Sequence, residues 1–217
     1  MWLQDFGLEH TRQYLARLGE QEQTQLFADA SLVQAIYDIT HGHPLYTALA
    51  ATAVLVAEAH GQRLEPEAFD KARVSPEVVR GHEDEAIEEY LLALFLRQLP
   101  PTEQQDLVFC AAPRVLDVAT LRAVLQLPSN IEARQRWERY RRFTFVRVID
   151  EQRIVLHPIV RSLLLRRLPP DHRPESDYSR THTRLRAYFH RQAREQGTAQ
   201  RGTGDWQARL EEAYHVH

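Results

Sequence analysis

Apolar residues recur three and four positions apart along most of this chain, the spacing of helices with one buried face. Tyr14, Leu15 and Leu18 predict a short helix over 11–18, stopped by Gly19. Leu32, Ala35, Ile36 and Ile39 predict a second over 30–40, with Asp29 or Ser31 to cap it. An Ala-rich third over 45–60 ends at Gly61, and 66–72 reads as a short fourth. Between the second and third stands Thr40-His41-Gly42-His43-Pro44-Leu45. Gly42 suits a left-handed C-cap, and Pro44 suits the first turn of the next helix, where its missing N–H costs nothing. These elements predict a helical bundle over residues 1–82.

The grammar then changes. Glu83-Asp84-Glu85 favour the positive end of a helix dipole, so a helix through 87–99 is expected there rather than a metal site. Pro100-Pro101 break it. Thr102 and Gln105 have capping-box spacing for a helix over 103–112. Helices over 118–125 and 131–142 follow, then β runs over 143–149 and 153–156 joined by Asp150-Glu151-Gln152. Phe143 and Phe145, with Val148 as a further position, alternate with polar residues as in a hairpin. Three helices and a hairpin make the winged-helix pattern. His157-Pro158 opens a helix through 168, Pro169-Pro170 end it, and 177–196 carries another with Leu185, Tyr188 and Phe189 on its apolar side. The stretch 197–204 is small, polar and expected to be mobile, and 206–214 looks like the opening of one more helix.

The expected fold is therefore mainly α. A helical lid bundle over 1–82 precedes a linker helix and winged-helix domain with a small β-hairpin over 83–170. C-terminal helices occupy 171–217.

Composition narrows the setting. At 217 residues the chain can bury one or two small cores. The single cysteine, Cys110, lies in Leu107-Val108-Phe109-Cys110-Ala111; it excludes an internal disulfide framework and reads as a buried structural thiol. No run reaches the roughly 18 apolar residues of a membrane span. Met1-Trp2-Leu3-Gln4-Asp5 has no secretory-signal pattern, so a soluble, cytoplasmic protein is expected. Charge is split unevenly. Residues 1–96 hold six basic against sixteen acidic side chains, a net of −10, and 97–217 hold twenty-one against fourteen, a net of +7. Such asymmetry fits contact with nucleic acid, attraction between two modules, or an acidic partner.

Catalytic chemistry is hard to place. A phosphate-cradling Gly-x-x-x-x-Gly-Lys-Ser/Thr loop is absent, since the one lysine, Lys71, has no glycine near it. The chain alone should not hydrolyse ATP. Phe145-Val146-Arg147-Val148-Ile149-Asp150-Glu151 has the look of a Walker B strand but is better read as a strand entering a hairpin turn. Eleven histidines include His41-x-His43 and His215-x-His217, yet no His/Cys/Asp set has zinc spacing. Neither catalytic residues nor a metal site are expected.

Two elements together carry a resemblance. The Gly42-His43-Pro44-Leu45 corner resembles the Gly-x-Pro-Leu element in the helical lid of STAND-type ATPases, the NB-ARC/AP-ATPase relatives. Val155-Leu156-His157-Pro158-Ile159 resembles the Met-His-Asp-type element that closes the winged-helix domain of that family. Only the histidine carries over, onto His157; Leu156 stands for Met and Pro158 for Asp. Phe6-Gly7-Leu8 with Tyr14-Leu15 is similar to the family's first lid helix. Leu210-Glu211-Glu212-Ala213-Tyr214 is similar to the start of its helical-repeat array. The resemblance implies a regulatory lid and winged helix that close over ATP or ADP, with Mg, held by an upstream P-loop core. Gly42 and Pro44 would then shape the adenine side and His157 would sense a phosphate. Both ends of the chain look cut from a longer polypeptide or a degraded gene, with the core before it and a helical-repeat or effector region after. The parent protein would be an ATPase.

Two other classes compete. In a DNA-binding winged helix the third helix enters the major groove. Here it would present Arg134, Arg139, Arg141 and Arg142, with Arg147 on the wing, although Trp137 and Tyr140 must turn part of it inward. A protein-interaction scaffold is the third reading, its partner meeting the basic second half.

Overall fold

A computed structural model of the chain describes residues 5–70 and 83–199. The expected helix over 206–214, the His215-x-His217 pair and the end of the 66–72 element lie outside the described residues. The described residues form α1 (Leu8–Glu22), α2 (Ala30–Thr40), α3 (Pro44–Ala59), α4 (Glu83–Arg97), α5 (Pro101–Cys110), α6 (Val118–Leu125) and α7 (Asn130–Tyr140). Strands β1 (Val146–Val148) and β2 (Ile154–Leu156) follow, then α8 (Pro158–Arg166) and α9 (Asp177–Ala199). The fold is mainly helical, with one small two-stranded antiparallel sheet among the described residues. The chain divides into two compact units between Pro101 and Thr102.

The first unit is built around α3. Every residue from Leu45 to Val54 is buried, so the helix has no solvent face over three turns. Six alanines in α3 keep it thin enough for neighbours to close on all sides. Its two buried hydroxyls stay satisfied: Thr52 donates to the Ala48 carbonyl at 2.8 Å, and Thr47 bonds to Thr40 at 3.2 Å. α2 and α4 pack on it, contributing Ile36, Ile39, Leu91, Leu92 and Phe95. The Tyr46 hydroxyl donates to Glu88 on α4 at 3.0 Å; burial and then this carboxylate push it well above the usual phenol range. Helix α4, which follows the expected bundle in sequence, therefore packs within it.

Two sequence-based boundaries are corrected. Helix α1 runs through Gly19 and ends where Gln23 turns left-handed. Gly19 is buried because a Cβ there would stand 3.2 Å from the Thr24 carbonyl and 3.6 Å from the Phe27 ring, so close packing explains it. Residues Pro66–Phe69 form a 3-10 turn that buries Phe69. Elsewhere in this unit the punctuation holds. Asp29 accepts from Ser31 and Leu32 backbone N–H groups at the start of α2, and Pro44 opens α3.

The second unit arranges α5, α6 and α7 with the hairpin. Trp137, Tyr140 and Ala133 turn one face of α7 inward, and Tyr140, Phe143 and Phe145 stack in sequence at 5.6 and 5.4 Å. Val148, expected inside with these phenylalanines, is 43% exposed, because β1 begins only after Phe145 and its register faces Val148 outward. Leu116, in the connection before α6, bridges Ile154 through two 2.9 Å hydrogen bonds. β2 thus pairs with β1 on one edge and with Leu116 on the other. Thr102 lies inside α5 rather than at its cap, and Gln105 donates to Asp177 on α9. Helix α9 continues through Gly197 to Ala199 and seats Leu185 and Phe189 on the side that packs on α6.

Between α8 and α9 the turn is held by side chains. Arg173 grips Asp171 with Nε and Nη2 at 2.6–3.1 Å, and the Ser179 hydroxyl donates to the Asp171 carbonyl. The bonds from the Arg173 guanidinium, then that from its backbone N–H, hold the Asp171 carboxyl down at about 2, below its ordinary 3.8. The ionised form is favoured by folding, so the contribution is complete above the ordinary value and is lost as pH falls toward about 2. In a carbon-detected NMR titration Arg173→Ala should return Asp171 to near its ordinary value. An unchanged titration would show that the guanidinium is not its anchor. Leu49→Ala, at the centre of α3, should cost about 2–5 kcal/mol in urea unfolding. Ile131→Ala, at a site 72% exposed, should cost under about 0.5 kcal/mol.

Candidate functional site

The α2–α3 corner is made by two consecutive left-handed residues, His41 at φ 49° and Gly42 at φ 74°. His41 N–H donates to Tyr37 and His43 N–H to Thr40, closing the end of α2. Gly42 is needed here for a second reason. A Cβ on it would stand 1.8 Å from the Phe6 carbonyl oxygen, and Phe6 N–H donates to the Gly42 carbonyl at 2.9 Å. The space beside this glycine is filled by the chain's own backbone. Pro44 is half-buried in the first turn of α3. The His43 ring lies 4.0 Å from that of Tyr46, and its Nδ1 is shielded, with no hydrogen-bond partner among the described residues. Sequence reasoning named Phe6 and His43 only as parts of motifs, gave them no role at the corner, and left Tyr46 out. The Gly-x-Pro spacing pointed only to the two residues that break helices.

His157 occupies the N-cap of α8 in the second unit, directly after β2. Its backbone N–H donates to Phe145 at 2.9 Å and its carbonyl accepts from Arg161 at 2.9 Å, fixing it at the junction of hairpin and helix. The side chain makes no capping bond to α8. The ring is half-buried with Nδ1 shielded from solvent. The corner residues and His157 thus belong to different units.

The arginines of α7 are largely occupied. Arg139 pairs with the buried Glu103, and Arg136 reaches Asp106 at 2.9 Å and Glu103 at 3.5 Å, tying α7 to α5. Arg141 pairs with Glu138 at 3.3 Å and lies 4.9 Å from the Trp137 ring centre; Arg134 lies 5.7 Å from it. Arg142 and Arg147 are exposed. Burial pushes the Asp106 carboxyl up, against the pull of Arg136 and with the help of Glu103. Burial likewise pushes up the Cys110 thiol and the Tyr140 hydroxyl. Cys110 is fully buried, an inert thiol rather than a nucleophile. Asp150, the apparent end of a Walker B strand, accepts from the backbone N–H groups of Gln152 and Arg153 and closes the hairpin turn. Among the described residues Ile131, Val148 and Ile149 are the exposed large apolar side chains.

Among the described residues no group of three or more His, Cys, Asp or Glu side chains is placed to hold a metal ion, and no helix is long and apolar enough to cross a membrane. No family model, no curated protein and no solved structure matches the chain.

The corner makes a direct prediction. Gly61 also has a positive φ, 71°, but a Cβ there would meet nothing within 4 Å. Gly61→Ala should therefore cost only left-handed strain, about 1–2 kcal/mol. Gly42→Ala should cost about 1–3 kcal/mol more in the same unfolding assay, because Phe6 must move. Equal losses would mean that the Phe6 contact does not hold the corner.

Proposed function

We propose that this chain is the lid-bundle and winged-helix portion of a STAND-type, nucleotide-dependent signalling switch, regulatory and without catalytic residues of its own. The observation that carries this reading is the order of pairing in the second unit. Helix α5, the Leu116 bridge, α6, α7, β1 and β2 follow one another, with Leu116 and β1 on opposite edges of β2. That order supports the winged-helix reading, and His157 follows β2 directly. The glycine–proline corner of the first unit supplies the second element of the resemblance. In this reading the P-loop core and Mg belong to an ATPase segment upstream, and a helical-repeat or effector region lies downstream.

A bound nucleotide would supply a phosphate charge that changes on exchange or hydrolysis. Pro44 would offer its half-exposed ring to the adenine, while Gly42 keeps the corner narrow. His157 would meet a phosphate oxygen, and the hairpin would transmit its position because the His157 backbone is bonded to Phe145. Such a contact biases a two-state element only as far as its strength differs between the states. Duplex recognition through α7 draws no support from Arg139 and Arg141, since each would have to leave an internal carboxylate.

Fluorescent ADP provides the test. The chain by itself should show no saturable binding, and a fusion carrying a STAND P-loop core ahead of Met1 should bind. In that fusion His157→Ala should weaken ADP about tenfold, the loss of one charge-assisted hydrogen bond. An affinity unchanged by both His157→Ala and Pro44→Ala would overturn the reading.

A further inference from the structure

From Tyr178 to Arg194, α9 carries no acidic side chain. Leu185 and Phe189 turn one side of the helix inward, and the exposed positions opposite include Arg180, Arg186, Arg191 and Arg194 with His190. The other exposed residues between Arg180 and Arg194 are Thr183 and Ala187, so no large apolar side chain stands on this face. At about 100° per residue, Arg186 and Arg191 fall about 140° apart, on opposite edges of the exposed arc. Thr183, Ala187 and Arg194 lie on the line between them.

These arginines differ in what holds them. Arg180 pairs with Asp177 in the first turn of α9 at 2.6 Å. Arg186 and Arg191 make no hydrogen bond or ion pair among the described residues. Arg122 lines the same cleft as Arg191, where α9 passes α6, and no carboxylate faces that cleft. It is exposed, and the Leu127 carbonyl at 3.3 Å and the Asn130 side chain at 3.2 Å fix its guanidinium. Exposed charges more than about 8 Å off are largely screened at physiological ionic strength. A ligand therefore meets the positive charge of this face rather than the chain's net −3.

We infer that α9 binds duplex DNA by lying in the major groove, with Arg186 on the phosphates of one wall and Arg191 on those of the other. Arg122 adds charge beside Arg191. The groove is about 12 Å wide and admits an α-helix. Thr183 and Ala187, small and central, let the helix backbone approach its floor. An acidic protein fits this face less well, because the core of a protein interface is apolar or aromatic and depleted in charge. Single strands are held by stacking on aromatic rings, and the arc exposes no Phe, Tyr or Trp. Duplex RNA has a major groove too deep and narrow to be read in this way. The surface is separate from the paired arginines of α7. It uses none of Gly42, Pro44 and His157 and is independent of the nucleotide reading.

The test is fluorescence anisotropy of the full chain with short labelled DNA duplexes. Binding should saturate, and the logarithm of its affinity should fall linearly with the logarithm of salt concentration. Arg186→Gln with Arg191→Gln, which together remove no internal contact, should weaken binding about tenfold or more and reduce that slope by about 1.8. The melting temperature without DNA should stay unchanged in this double variant. Arg142→Gln with Arg147→Gln, the same loss of charge at exposed sites outside α9, should cost less than about threefold. Duplex RNA of the same sequence and polyglutamate should both bind more weakly than the DNA. Absence of saturation, an equal loss in the Arg142 and Arg147 pair, or RNA or polyglutamate binding as tightly as DNA would each overturn the proposal.

Discussion

The steric exclusion at Gly42 is the constraint on which the first unit depends. Helix α3 is buried along ten consecutive residues, so it must be entered without a loop that would itself need burying. The chain achieves this by reversing direction over His41 and Gly42 and starting α3 at Pro44. Backbone of Phe6 then closes the outside of the corner and bonds to it. A side chain on Gly42 would push that backbone away and open the end of α3. The alanines of α3, the contact with α2 and the Tyr46–Glu88 bond across to α4 all presuppose the corner.

The second unit solves a different problem with charge. Helix α7 has a buried aromatic face and three arginines, and α5 meets it with Glu103 and Asp106. Glu103 is only 8% exposed, and Arg136 and Arg139 converge on its carboxyl group. Residues that look like a nucleic-acid footprint in the sequence thus serve in part as packing.

Local chemistry made much of this legible. Helix α2 and helix α6 follow the expected spans because capping by Asp29 and the periodic apolar face act within a few residues. The reading failed at Gly19, taken as a stop. Whether a glycine ends a helix or admits a neighbour depends on residues that fold back on it, here Thr24 and Phe27. It also could not place α9 on α6, a packing that brings Arg122 near Arg191, sixty-nine positions later.

By itself the sequence determined that the protein is mainly helical, where most helices begin and end, that a short hairpin follows α7, and that Cys110 is buried. All of these depend on periodicity, capping and turn chemistry, which operate over one or two helical turns. Only the tertiary structure decided why Gly42 must be glycine, which arginines are spoken for, and that Leu116 completes the edge of β2. Those are contacts between residues distant in the chain, and a side chain's charge or size does not reveal which partner it will meet until the backbone brings that partner within reach.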